Sequence, residues 1–208
     1  MADAEDNPAL SALGRVLQYR DGLILVFLAF HPLRLRNLAE LEISRHIVQV
    51  GEQFILRLAE TKGGQSHEGP VHPTVSDPLR RYLRRHQLVL LRQRGRWYAP
   101  PGDALWISKH GSRCSETTFE NVVRKRTGAD ARPPLSPHLF RSYAATSVAV
   151  NAPDSVDIIS AVLIHGSPRT GERYYSLASS LEASRAHSAL LHELRRELAR
   201  KQPPHAEM

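Results

Sequence analysis

The sequence predicts a mostly helical α+β domain that carries one small antiparallel sheet of three strands. Three observations point that way. Apolar residues recur with helical spacing near both ends of the chain, and one run, GLILVFLAF at 22–30, is strongly apolar. Between them lies HIVQV-GE-QFILRL, two short β-rich runs on either side of Gly51-Glu52, which reads as a hairpin. Helices come first, then strands, then helices again, and this segregated order is that of an α+β fold.

Taken in order, residues 1–12 read as a polar, flexible leader. ALSALGRVLQYRDGLILVFLAF reads as two helices, a short one and an apolar one from about 20 to 30. His31-Pro32 breaks the second, and a third helix starts near Leu33. The hairpin follows, then the polar, Gly-rich ETKGGQSHEG, and PVHPTV returns as the third strand. SDPLRRYLRRHQLVLLRQ has a Ser/Asp cap with proline early, which predicts a helix. GRWYAPPGD is loop, and ALWIS is a short apolar segment. SETTFENVVRKRTG is a helix that opens at Ser115 and closes at Gly128. SPHLFRSYAATSVAV is a helix with Ser136 as N-cap and Pro137 at its first position. DSVDIISAVL, and the amphipathic tail within 181–208, complete the helices.

At 208 residues the chain fits one domain with room for a proper core. An apolar content of 41% argues against disorder throughout. The formal net charge is +7, and of 28 cationic side chains only Lys62, Lys109, Lys125 and Lys201 are lysines. Arginine suits planar, bidentate contact with phosphate, although a basic surface can also be simply solvated. Cys114 is the lone cysteine, which excludes an internal disulfide framework and a zinc finger and fits a reducing compartment. The acidic start MADAEDNPAL is no signal peptide, and the longest apolar run is too short to cross a bilayer.

The motif LSPHLFRSYAAT at 135–146 is the first with chemical content. If Ser136 caps the helix, His138 and Arg141 lie three apart on one face of its first turns. The free N–H groups and the positive end of the helix dipole point the same way, which favours a phosphate. A His and an Arg can equally decorate a helix start, so the neighbouring motifs decide.

Downstream, LIHGSPRTGERYY puts Tyr174 nine residues after His165. Together with H-x-x-R about thirty residues earlier, this resembles the C-terminal boxes of the tyrosine recombinases, the phage-integrase family. Upstream, HPLRLRNLAEL resembles that family's first box and aligns Arg34 with its first catalytic arginine. The register of Leu33, Leu38 and Leu41 favours Arg34 over Arg36. The family's lysine, at the turn between its second and third strands, matches Lys62. The chain departs from the family pattern at Asn37, where an acidic residue helps brace the site, and at Ile164 and Gly171 in the turn before the tyrosine. His31, His67 and His72 match no box and read as surface.

The resemblance implies a tyrosine-recombinase catalytic domain at 13–180, followed by a C-terminal helix and tail at 181–208, with the family's N-terminal core-binding domain absent. It implies a catalytic set of Arg34, Lys62, His138, Arg141, His165 and Tyr174, acting on double-stranded DNA without cofactor or metal. Arg34 and Arg141 would clamp the scissile phosphate, with a hydrogen bond from His165. His138 would orient or accept the Tyr174 proton, and Lys62 would protonate the leaving 5′-oxygen. It further implies a cytoplasmic, nucleoid-associated protein from a mobile element, whose copies assemble on DNA as a tetramer through the C-terminal helix. The alternatives are a non-catalytic, DNA-binding relic of an integrase and, because the chemistry is shared, a type IB topoisomerase. Neither the stripe Arg80/Arg84 and Arg81/Arg85 nor the leucines of the tail decides among these. The stripe reads as a solvated helix face or a phosphate-contacting one, and the tail helix docks on its own domain or on a neighbour.

Overall fold

A computed structural model describes residues 5, 7–58, 66–128 and 133–151. The first long helix, α1 (Ala12–Phe30), is one element rather than the expected two. Ser11 caps it by accepting the Gly14 N–H at 3.0 Å. The polar Arg20-Asp21 pair does not interrupt it, because both side chains are buried and satisfied by partners far along the chain. Arg20 binds Asp21 at 2.7 Å and the Ile107 carbonyl at 2.8 Å, and Asp21 binds Arg126 at 2.9 Å.

The helix stops where His31-Pro32 requires. The His31 N–H closes back on the Phe27 carbonyl at 2.7 Å, and the chain runs extended through Arg34 into the short helix α2 (Leu35–Glu40). The hairpin forms as expected from β1 (Ile47–Val50) and β2 (Gln53–Leu58), with Val50 opposite Gln53. Gly51, at φ +60°, makes the two-residue turn in a conformation that L side chains avoid. The third strand, β3 (His67–Pro70), completes an antiparallel sheet in the order β1-β2-β3.

β3 begins three residues upstream of the expected PVHPTV and shares only Pro70 with it. Val71 still donates to the Phe54 carbonyl at 2.8 Å, but Pro73 then opens helix α3 (Pro73–Arg81), so the PTV half of that run is helical. The cap is His72, whose Nδ1 accepts from the Thr74 N–H at 3.2 Å, and not Ser76 or Asp77. Ser76 is buried one turn into the helix and donates to the Val71 and His72 carbonyls. The rod continues through a π-helical turn (Tyr82–His86), where the Gln87 N–H reaches the Tyr82 carbonyl, into α4 (Gln87–Leu91).

Trp106, from the apolar ALWIS segment, sits at the centre of the core. Its ring meets Phe27 edge-on at 5.7 Å, Tyr82 at 5.6 Å and Phe119 at 6.5 Å. The segment is held in place by main-chain bonds and by the buried Gln87, which donates to the carbonyls of Ala104 and Leu105 at 3.1 and 2.9 Å. The turn after it needs Gly111: at φ +72°, a Cβ there would lie 2.5 Å from the Arg94 nitrogen. Helix α5 (Glu116–Thr127) opens with a Ser115–Thr118 capping box and closes at Gly128, as its sequence predicts. Helix α6 (Pro137–Asn151) packs on α1 and α5. The expected helices at 154–163 and in the tail lie outside the described residues. Among the described residues, no helix is long and apolar enough to cross a membrane.

Candidate active site

Three of the six expected residues, Arg34, His138 and Arg141, belong to the described residues, while Lys62, His165 and Tyr174 lie outside them. Pro137 is the first residue of α6, and the Leu139 N–H closes on the Ser136 carbonyl at 3.0 Å. His138 therefore lies in the first turn and is exposed, and Arg141 follows one turn later and is 8% exposed. Burying a guanidinium is costly unless its donors are met. Arg141 meets the demand in part by donating from Nη1 to the carbonyl of Pro32.

That contact determines where the two arginine-bearing segments meet. Pro32 is buried and two residues before Arg34, so the bond seats α6 against the extended link that carries Arg34. Arg34 occupies the N-cap position of α2 at φ −66°, ψ 146°, half-buried. Arg36, the rival by sequence, sits on the outer side of α2, with its side chain 73% exposed and bound to Glu40 at 2.9 Å. Asn37 is half-buried on the same short helix. Two arginine-bearing segments are thus brought together by the Arg141–Pro32 bond, and an exposed His138 lies in the first turn of the same helix α6.

The link between α1 and α2 is supported on its other side by a group that its sequence did not reveal. His31 is half-buried rather than on the surface, packs against Phe27 at 5.1 Å between ring centres, and accepts the His72 backbone N–H on Nε2 at 3.2 Å. Burial, with a smaller effect from His67 and His72, holds its pKa down at about 4. His72 is exposed, but its ring stacks on Phe30 at 4.0 Å. The only sequence signal was the helix-breaking His-Pro pair, which frees backbone groups that distant residues must satisfy.

The arginine stripe divides. Arg80 is folded down onto Asp77 at 2.6 Å, onto Glu52, and over the Phe54 ring at 5.5 Å. Arg81 binds Glu5 at 2.7 Å, which also meets His86 at 3.0 Å, whereas Arg84 and Arg85 are exposed. The π turn breaks the i, i+4 alignment on which the stripe was read.

A helical α+β fold with the first-box and H-x-x-R segments locked together defines a tyrosine-recombinase catalytic fold. The sequence profile of the phage integrase family matches residues 4–180, and the chain belongs to that family. Among its relatives is the tyrosine recombinase XerD of Ralstonia nicotianae, 27% identical over 164 residues that make up 78% of this chain and 50% of that protein. The fold is shared with the XerH site-specific recombinase in a post-cleavage complex with its palindromic difH substrate, at a TM-score of 0.64 and 16% identity over 88% of this chain and 49% of that one. It is also shared with the XerA recombinase, at a TM-score of 0.56 and 24% identity over 94% of this chain and 64% of that one. The chain spans about half the length of the XerD relative.

Proposed function

We propose that the chain is the catalytic part of a site-specific recombinase or integrase that breaks and rejoins duplex DNA through a covalent 3′-phosphotyrosyl intermediate. The observation that carries the reading is the Arg141–Pro32 bond, which ties the H-x-x-R helix to the link bearing Arg34 in a chain of the phage integrase family. The proposed catalytic unit is 13–180.

The chemistry follows from the residue types. A tyrosine hydroxyl is a weak nucleophile near neutrality because its pKa is about 10. Attack by the Tyr174 oxygen on phosphorus gathers negative charge on the non-bridging oxygens. Arg34 and Arg141, with a hydrogen bond from His165, would stabilise that charge. His138 would take or orient the phenolic proton, and Lys62 would give a proton to the departing 5′-oxygen. The new phosphotyrosyl bond keeps the energy of the broken one. Attack by another 5′-hydroxyl then restores the phosphodiester and frees Tyr174.

Duplex DNA is the proposed partner, supported by the family and by the substrate-bound XerH complexes that share the fold. Assembly of copies on DNA through the 181–208 segment belongs to the same proposal. A second reading, a DNA-binding relic, draws on Asn37, Ile164 and Gly171, where the family pattern is broken. Incubation with nicked duplexes carrying candidate sites separates the two: the enzyme leaves a covalent protein–DNA adduct, and the relic binds without one.

A further inference from the structure

The extended link from His31 to Arg34 is short, and two of its groups, the Pro32 carbonyl and the His31 ring, bond residues far along the chain. It stands between the end of α1 and the start of α2, and its Pro32 carbonyl accepts Arg141. Its own geometry is tight: Leu33 donates to the His31 carbonyl at 2.7 Å. It is also fastened through His31 to the junction after β3, where Nε2 takes the His72 N–H at 3.2 Å. The rings interleave there, Phe27 with His31 and Phe30 with His72. His72 in turn caps α3 through Nδ1.

We propose that His31 is a positioning residue for the arginine pair: its imidazole, as a hydrogen-bond acceptor, fastens the Arg34 link to the β3–α3 junction and so fixes where Arg34 and the Pro32 carbonyl stand. The proposal rests on the recombinase reading for its catalytic consequence, but not for its structural one. An acceptor at Nε2 requires the neutral ring with its proton on Nδ1. Burial beside Phe27, with His67 and His72 as the titratable neighbours, keeps the ring neutral at ordinary pH. A glutamine can supply an acceptor at a similar reach, whereas phenylalanine keeps the ring packing and supplies none.

The test compares full-length His31→Phe and His31→Gln with the parent in two measurements. Amide hydrogen exchange without DNA reads the fastening itself. The His72 amide and the 33–35 amides should lose protection by about tenfold in His31→Phe and recover in His31→Gln, as expected when a backbone donor loses its partner. Single-turnover adduct formation on nicked DNA reads the consequence: a rate about tenfold lower for His31→Phe, restored in His31→Gln, with DNA affinity within twofold of the parent. Unchanged exchange in His31→Phe overturns the proposal, as does altered exchange with an unaltered adduct rate. If the parent forms no adduct, the recombinase reading fails, and the exchange measurement still decides whether His31 holds the link.

Discussion

Arg141 donates to the carbonyl of Pro32, 109 residues earlier in the chain, and this bond joins the helix of one motif to the link of another. Arg141 is buried, 8% exposed, and meets part of its hydrogen-bonding demand through that carbonyl. Arg141→Lys should keep the fold, by circular dichroism, and lower adduct formation by about a hundredfold or more, because an ammonium lacks the planar fork that serves carbonyl and phosphate together. A lysine variant cleaving at the parental rate would remove Arg141 from the site.

The buried Arg20–Asp21–Arg126 group supports α1 far from the arginine pair. Its side chains are only 6%, 8% and 27% exposed, and Asp21 is the anion that its two guanidiniums share. Asp21→Ala leaves Arg20 uncompensated among Ile107 and Cys114, and should cost about 3–5 kcal/mol in urea unfolding. Arg126→Ala should cost less, because Arg20 continues to pair with Asp21.

This network also explains why part of the fold was hidden in the sequence. The apolar helix reads from about residue 20, and what satisfies the buried Arg20-Asp21 pair there lies 87 and 105 residues away. The start of α3 was misplaced for a similar reason. Ser76-Asp77-Pro78 has the composition of a helix start, but Pro73 and the capping His72 take that role, and Ser76 is buried against Val71. Local signals with local partners were legible: Ser115 with Thr118, Gly51 in its turn, Pro137 at the head of α6. Of the proposed site, Arg34, His138 and Arg141 are proposed from their motifs alone. His31 and Pro32 could not be, since what they contribute is a ring nitrogen and a carbonyl whose partners come from the junction after β3 and from α6.

Acid should loosen this arrangement in a defined window. The folded His31 has its pKa lowered from 6.5 to about 4, and His46, His67 and His86 are shifted the same way, chiefly by burial. Between those limits the unfolded chain binds more protons, so stability is fully present above about pH 6.5 and falls as the pH drops towards 4. For His31 the loss should be on the order of 3 kcal/mol. Melting temperature followed across this range should fall less steeply in His31→Phe than in the parent; equal slopes would show that His31 does not titrate in this way.

Cys114 should be inert while the chain is folded. It is 1% exposed, and burial pushes its thiol up to about 11. A disulfide reagent at pH 8 should therefore label the thiol only after unfolding in urea. Rapid labelling of the native protein would contradict the packing around Arg20 and Trp106.

The most direct test of the central claim is to trap the protein on a nicked candidate-site duplex, digest the adduct with protease and identify the DNA-linked peptide by mass spectrometry, in parallel with Tyr174→Phe and Tyr175→Phe. The account predicts linkage of a 3′-phosphate to Tyr174, an adduct that survives in Tyr175→Phe, and none in Tyr174→Phe. An adduct that persists in Tyr174→Phe, or DNA binding with no adduct on any nicked substrate, would contradict it.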